Sequence, residues 1–243
     1  MSLQTAARAV RDRGLNLEQA IGVLGPAHRS WRGNSATDNR ERWNGWDWSS
    51  LGEEWTASEG WKQGLVEEVL LARMPSGGTV LEIGPGGGRW SVILAERADR
   101  LVLVDVSPRV LEVARERLGA AAHVDYVCSA GSDLPGVEDA TVDAIWSFDV
   151  FVHVAPVDQA GYLDEMARVV SPGGIALIHH ADGRNRGVLP SRSGWRAPMS
   201  ARLFSRLARK RGFQVEEQLS SWSGGSHDLS AYGDVISVLR RGD

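Results

Sequence analysis

The sequence predicts an α/β protein. Its core is a three-layer sandwich around a mostly parallel sheet of seven strands, with the last strand antiparallel and a helical, tryptophan-rich cap at the N-terminus. Three observations carry this. Apolar runs alternate with segments of helical period, the order that builds a parallel sheet. The run Val80-Leu81-Glu82-Ile83 breaks into Gly84-Pro85-Gly86-Gly87-Gly88, resumes as a helical pattern, and is followed by Leu101-Val102-Leu103-Val104-Asp105. Two late apolar runs, 213–219 and 235–239, have no helix between them, which suggests an antiparallel pair at one sheet edge.

The elements follow in order. Residues 3–24 read as one or two helices broken near Gly14 and stopped by Gly25-Pro26. From 28 to 48 the chain is polar and aromatic, with little periodicity and with Asn34, Asn39, Asn44 and Gly45 as turn formers. Ser58 is placed to cap a helix carrying Trp61, Leu65, Val66, Val69 and Leu70. We divide the chain into a cap, 1–62, and a ligand-binding domain, 63–243. Ser107-Pro108 looks like an N-cap followed by proline at the first helical position, opening a helix with Val110, Leu111, Val113, Ala114 and Leu118 on its apolar side. Strands are expected at 124–127, 142–147 and 175–178, with helices at 162–170 and 201–211.

Composition bounds the function. A chain of 243 residues, 42% of them hydrophobic, can bury a full core. No apolar run is long enough to span a bilayer and residues 1–13 are charged, so neither a membrane nor a signal segment is expected. Cys128 is the single cysteine, which excludes an internal disulfide and makes the cytoplasm the default location. A net charge of −4 argues against a general nucleic-acid binder.

Glycines after a strand let the backbone approach a ligand closely. An acid closing the next strand can accept hydrogen bonds from a ribose diol. A dinucleotide fingerprint would place glycine at the sixth position from Gly84, where Arg89 stands, and a Tyr-x-x-x-Lys pair is missing too, both against a NAD-dependent oxidoreductase. The spacing present is Glu82, Gly84, Gly86, Gly88. This E-x-G-x-G-x-G form resembles motif I of the class I, Rossmann-like S-adenosylmethionine-dependent methyltransferases.

The resemblance continues in order along the chain. It implies that Glu82, Gly84, Pro85, Gly86 and Gly88 surround the donor S-adenosylmethionine, or its product S-adenosylhomocysteine. It implies that Asp105, with Val106 beside it, holds the ribose. Val142-Asp143-Ala144-Ile145-Trp146-Ser147 resembles the fourth strand, so that Ser147 and Phe148 line the methionine part and the transfer site. Val170-Ser171-Pro172-Gly173-Gly174 resembles the turn before the fifth strand. Family members often carry Gly-Asp-Ala after the third strand, but here Ala130 takes the Asp position. Adenine contacts then fall to the backbone of Ala130 and Gly131, or to Ser132 or Asp133.

A hydroxyl acceptor must lose a proton as it takes the methyl, so a nearby base helps. His153 follows the fourth strand; His179 and His180 end the fifth. Neighbours on a strand point to opposite faces, so at most one of the pair should face the acceptor. Asp149 could orient a histidine or face the donor's amino group. The same groups with Asp182 and His227 could in principle hold a divalent metal, but no spacing is diagnostic and no metal is predicted.

The loop after the fifth strand carries Arg184, Arg186, Arg192, Trp195 and Arg196, which suits an anionic acceptor. Trp46, Trp48 and Trp55 offer flat faces for a ring or sugar, and His227 lies in a late connection on the ligand side. Some of the tryptophans could equally pack the cap onto the sheet or onto a partner subunit, which leaves a homodimer open. The expectation is O-methylation of a sugar or specialised metabolite, with a histidine as general base. The alternatives are N- or C-methylation of a small molecule, the oxidoreductase, and a binding module without turnover.

Overall fold

The computed structural model describes residues 34–183, 196–229 and 232–242. The helices expected over 3–24 lie outside them.

The first described helix, α1 (Ala36–Asn44), occupies a stretch expected to be irregular. Its residues are polar on nearly every side, so no apolar period marks it. What holds it is local. Ser35 Oγ accepts from the Asp38 N–H at 3.1 Å, and the Asp38 carboxylate accepts from the Ser35 N–H at 3.2 Å, a reciprocal capping box. Arg40 then ties the helix to the sheet through the carbonyls of Val106, at 2.9 Å, and Ser129, at 3.2 Å.

A 3-10 turn (Glu53–Trp55) leads to α2 (Glu59–Gly64), capped by Ser58 Oγ and continuing as a π-helical segment, Leu65–Leu70. This helix runs through residue 62. Trp61, Leu65, Val69 and Leu70 pack into the apolar layer against the sheet.

The sheet follows: β1 (Thr79–Ile83), β2 (Arg100–Asp105), β3 (Val124–Cys128), β4 (Val142–Ser147), β5 (Val170–Ala181), β6 (Phe213–Leu219) and β9 (Asp234–Arg241). Helices α3 (Ser91–Ala95), α4 (Pro108–Leu118), α5 (Pro156–Val169) and α6 (Ala201–Lys210) connect them. The late polar connection folds back as a small ribbon of β7 (Ser221–Trp222) and β8 (His227–Asp228). The order is β3-β2-β1-β4-β5-β9-β6, with β1 to β5 parallel and β9 antiparallel to both its neighbours. The last strand is therefore inserted between β5 and the edge strand β6.

Alternation along the strands feeds two apolar layers. Leu81, Ile83, Val102, Val104 and Ile145 face one. Val80, Leu101, Leu103, Ala144 and Trp146 face the other. α5 begins six residues before the expected 162, at Pro156. Proline suits the first helical turn, and the polar residues Asp158 and Gln159 hide the apolar period there. The strand order reverses between β1 and β4, and a crevice forms beyond the carboxyl ends of these strands, where open α/β sheets bind ligands. Among the described residues no helix is long and apolar enough to cross a membrane.

Candidate active site: two joined cavities

Two cavities meet at the carboxyl ends of the strands. The space within them, open solvent included, is about 820 Å³ and about 990 Å³.

The glycine turn and Asp105 form the base of the first cavity. Gly84 sits in the left-handed region at φ 73°, and its N–H donates to the Val104 carbonyl at 2.7 Å. A Cβ there would collide with Val150, and one at Gly87 would collide with the backbone of Leu51 in the cap. The cradle is thus as tight on its cap side as on its sheet side. Asp105 Oδ1 accepts from the Ser107 N–H at 2.8 Å. Burial pushes the Asp105 carboxyl up to about 7, against the pull of the Ser107 and Val106 amides. A ligand diol donating to this carboxylate would favour its ionised form. These residues fit an adenosine-type ribose.

Gly86, Pro85, Val106, Gly131 and Phe148 also line this cavity. Glu82, Gly88, Ala130, Ser132, Asp133 and Ser147, also expected at the donor, do not. Glu82 is buried behind the turn, where it accepts from Ser91 Oγ at 2.5 Å; burial raises its carboxyl to about 7, and its work is to tie β1 to α3. Ser147 Oγ donates to the Ile83 carbonyl at 2.9 Å and pins β4 to β1. Ser132 packs against Gly161 of α5. Asp133 is turned into its own loop, accepting from the Ala130 N–H at 2.7 Å.

Asn39, Trp43, Arg89, Asp158 and Tyr162 line the cavity without having been singled out for it. Asn39 and Trp43 lie four apart on α1, a spacing visible only once that helix is recognised. Asp158 stands in the first turn of α5, and burial raises its carboxyl to about 6.

The second cavity adjoins the first. Trp43, Trp55, Phe148, Asp149 and His153 line both. Beyond them it is bounded by Trp61, His179, Arg196 and Asp234. A chain of polar groups runs along this boundary. Arg89 Nη2 lies 2.7 Å from Asp149 Oδ2, and the guanidinium covers the Trp90 ring at 4.6 Å. Asp149 is in the left-handed region at φ 61°, a conformation Asp tolerates. This aims its N–H at His179 Nδ1, which accepts at 3.0 Å. The proton of the neutral His179 ring therefore sits on Nε2, 3.6 Å from Asp234 Oδ2. Asp234 in turn meets Arg196 Nη2 at 2.9 Å. Burial works against ionisation of Asp149; a protonated His179, whose Nδ1 lies 3.3 Å from Asp149 Oδ1, and the Arg89 guanidinium would outweigh it and hold the carboxyl well below the usual carboxylate range. Burial pushes the Asp234 carboxyl up, against His179 and Arg196.

The remaining expectations divide. His180 points to the opposite face of β5. Its Nδ1 donates to the Ala181 carbonyl at 3.0 Å, its Nε2 lies 2.7 Å from Ser237 Oγ, and its ring stacks on Phe204 at 3.9 Å. Burial lowers it to about 3, and it lines neither cavity. His227 belongs to β8, where it lies beside Trp222 and Gly60, and it too lines neither cavity. Trp46 packs behind Trp43 and Trp55 and donates to Glu54 at 3.1 Å. Trp48 lies under Gly86 in the first cavity and not in the second. Arg184, Arg186 and Trp195 lie outside the described residues. Among the described residues no group of three or more histidine, cysteine or acidic side chains is arranged to hold a metal.

A seven-stranded sheet with its last strand reversed, a glycine cradle after β1 and an acid after β2 define a class I S-adenosylmethionine-dependent methyltransferase. Comparison with known proteins gives the same family, and the chain belongs to it. Residues 81–178 match the family model described as methyltransferase domain. The ubiquinone biosynthesis O-methyltransferase of Xylella fastidiosa (strain 9a5c) is 36% identical over 113 residues, 46% of this chain and 45% of that relative. The matched part thus spans less than half the length of that relative. An uncharacterized methyltransferase of Mycobacterium sp. (strain JLS) is 30% identical over 181 residues, 69% of this chain and 66% of its own. Among solved structures, geranyl diphosphate C-methyltransferase from Streptomyces coelicolor A3(2), in complex with Mg2+, geranyl diphosphate and S-adenosyl-L-homocysteine, shares the fold. Its TM-score is 0.60 at 17% identity, covering 85% of this chain and 97% of that one.

Proposed function

We propose that this protein binds S-adenosylmethionine in the first cavity and methylates a hydroxyl of a small molecule held in the second. The observation that carries the reading is that the two cavities adjoin, with Trp43, Trp55, Phe148, Asp149 and His153 in the lining of both. When bound, the donor supplies a methyl already activated by its sulfonium. The protein's part is to align the acceptor, exclude water and take up a proton.

Asp105 and the glycine cradle would hold the nucleoside. Of the two histidines facing the second cavity, His179 has its basic nitrogen occupied by the Asp149 amide and offers a donor. This supports His153 as the general base, with its ring edge-on to Trp43 at 5.4 Å and its carbonyl held by Asn34 and Asn39. His179 would orient the acceptor together with Asp234. The charge of Arg196 is met by Asp234, which favours a neutral aromatic or glycosyl acceptor over an anionic one. The name of the Xylella relative also favours a hydroxyl acceptor.

The test is transfer of labelled methyl from S-adenosylmethionine to a panel of catechols, phenols and sugars, with product mass as readout. His153→Ala is expected to lower turnover at least a hundredfold, the scale of general-base catalysis, with donor affinity kept. Full turnover by that variant refutes the assignment of the base. Transfer to no hydroxyl acceptor refutes the reaction.

A further inference from the structure

We infer that the wall shared by the two cavities is a subsite for positive charge, built mainly by the cap, so that the protein holds the cationic donor more tightly than the neutral thioether left after transfer. This rests on the donor occupying the first cavity and goes beyond it. The methyl has to cross where the cavities join, so the sulfonium comes to rest beside the residues common to both. Three of those are aromatic. The rings of Trp43, on α1, and Trp55, in the 3-10 turn, lie 6.0 Å apart with planes at 78°, so they present themselves from two directions. Phe148, after β4, is the third, but its ring already stacks on His179 at 4.3 Å and on Trp146 at 5.7 Å, with the Arg89 guanidinium 5.9 Å away, which leaves Trp43 and Trp55 as the rings that meet a new cation. Aromatic faces attract cations within about 6 Å, most strongly where water is excluded. The fourth, Asp149, is a carboxylate whose charge is met by Arg89 at 2.7 Å, so the attraction for a cation at this wall falls to the cap's rings.

The wall also fits the charge flow of the reaction. The acceptor oxygen forms a bond to the methyl carbon, the carbon–sulfur pair returns to sulfur, and the hydroxyl proton passes to His153. The positive charge thus leaves sulfur and reappears on an imidazole that touches the same Trp43 ring. The rival explanation, that Trp43 and Trp55 serve only to pack the cap, predicts no dependence of binding on ligand charge.

Calorimetry on the full chain separates the two. The probes are S-adenosylmethionine, S-adenosylhomocysteine, and sinefungin, in which a protonated amine replaces the sulfonium. Both cations are expected to bind about three- to tenfold more tightly than S-adenosylhomocysteine, the yield of one or two partly desolvated cation–aromatic contacts. Trp55→Leu should bring that ratio to within twofold of one with S-adenosylhomocysteine affinity nearly unchanged, and Trp55→Phe should keep the preference. The inference is overturned if the wild type binds S-adenosylhomocysteine as tightly as the cations. It is also overturned if the ratio survives in Trp55→Leu, or if that variant loses all three ligands together. Absence of binding by all three in the wild type instead removes the donor reading itself.

Discussion

Asp105 makes donor binding depend on pH in a way that can be worked out. Its carboxyl is raised to about 7 in the ligand-free protein because the strand end is buried. Ribose hydroxyls donate, so only the ionised carboxylate accepts from both. Binding must therefore select the ionised form and release a proton wherever the acid is still protonated. With a pKa of about 7, roughly one molecule in eleven is ionised at pH 6 and about ten in eleven at pH 8, so affinity should rise about tenfold, or ~1.4 kcal/mol, between them. Titration calorimetry with S-adenosylhomocysteine at several pH values measures this. Repeating each point in buffers of different ionisation enthalpy counts the released protons. Asp105→Asn is the control: it should bind more weakly at pH 8, by roughly 1.5–3 kcal/mol, and lose the slope. A flat affinity from pH 6 to pH 8 in the wild type, or an unchanged slope in Asp105→Asn, would show that this carboxylate does not grip the ligand.

The same carboxyl sets a stability effect of opposite sense. Its folded value lies above the ordinary 3.8, so the folded chain keeps a proton that the unfolded chain has lost, and stability falls as pH rises from about 4 to about 7. Asp105→Asn should accordingly melt higher than wild type at pH 8 and alike at pH 4 in a thermal scan. Gly84→Ala forces a side chain into the left-handed region and into Val150, and should cost at least ~1–3 kcal/mol in denaturant unfolding. Asp149→Ala strands the Arg89 guanidinium, 5% exposed, and should cost ~3 kcal/mol by the same assay. His180→Asn should lower the melting temperature while leaving the turnover number and its pH profile in place, whereas His179→Asn should reduce turnover; equal kinetic losses in both would contradict the division of the two faces of β5.

Much of the frame is legible in the chain because burial writes itself into composition. Each parallel strand is a short apolar run, and the glycine turn between β1 and α3 has few other uses. The alternation rule puts His179 and His180 on opposite faces of their strand from the sequence alone. What escapes has physical reasons. α1 is made by a capping box and by Arg40, not by an apolar stripe, so a reading based on periodicity passes over it, and with it Asn39 and Trp43. Asp234 opens β9 and meets His179 only because that strand inserts beside β5, with Ala181 opposite it. Arg89, read in the sequence only as a misfit in a dinucleotide fingerprint, turns out to anchor Asp149. Glu82, Ser147 and Ser132 are close in sequence to the cradle yet turn their side chains inward, because hydrogen-bonding partners there satisfy or pack them.

A crystal structure with S-adenosylhomocysteine bound tests the account most directly. The ribose hydroxyls should lie on Asp105, the amino-acid end should run over the glycine turn, and the thioether should point at the wall of Trp43, Trp55 and Phe148. A ligand lodged elsewhere, or one whose sulfur is sealed off from the cavity holding His179, would contradict it.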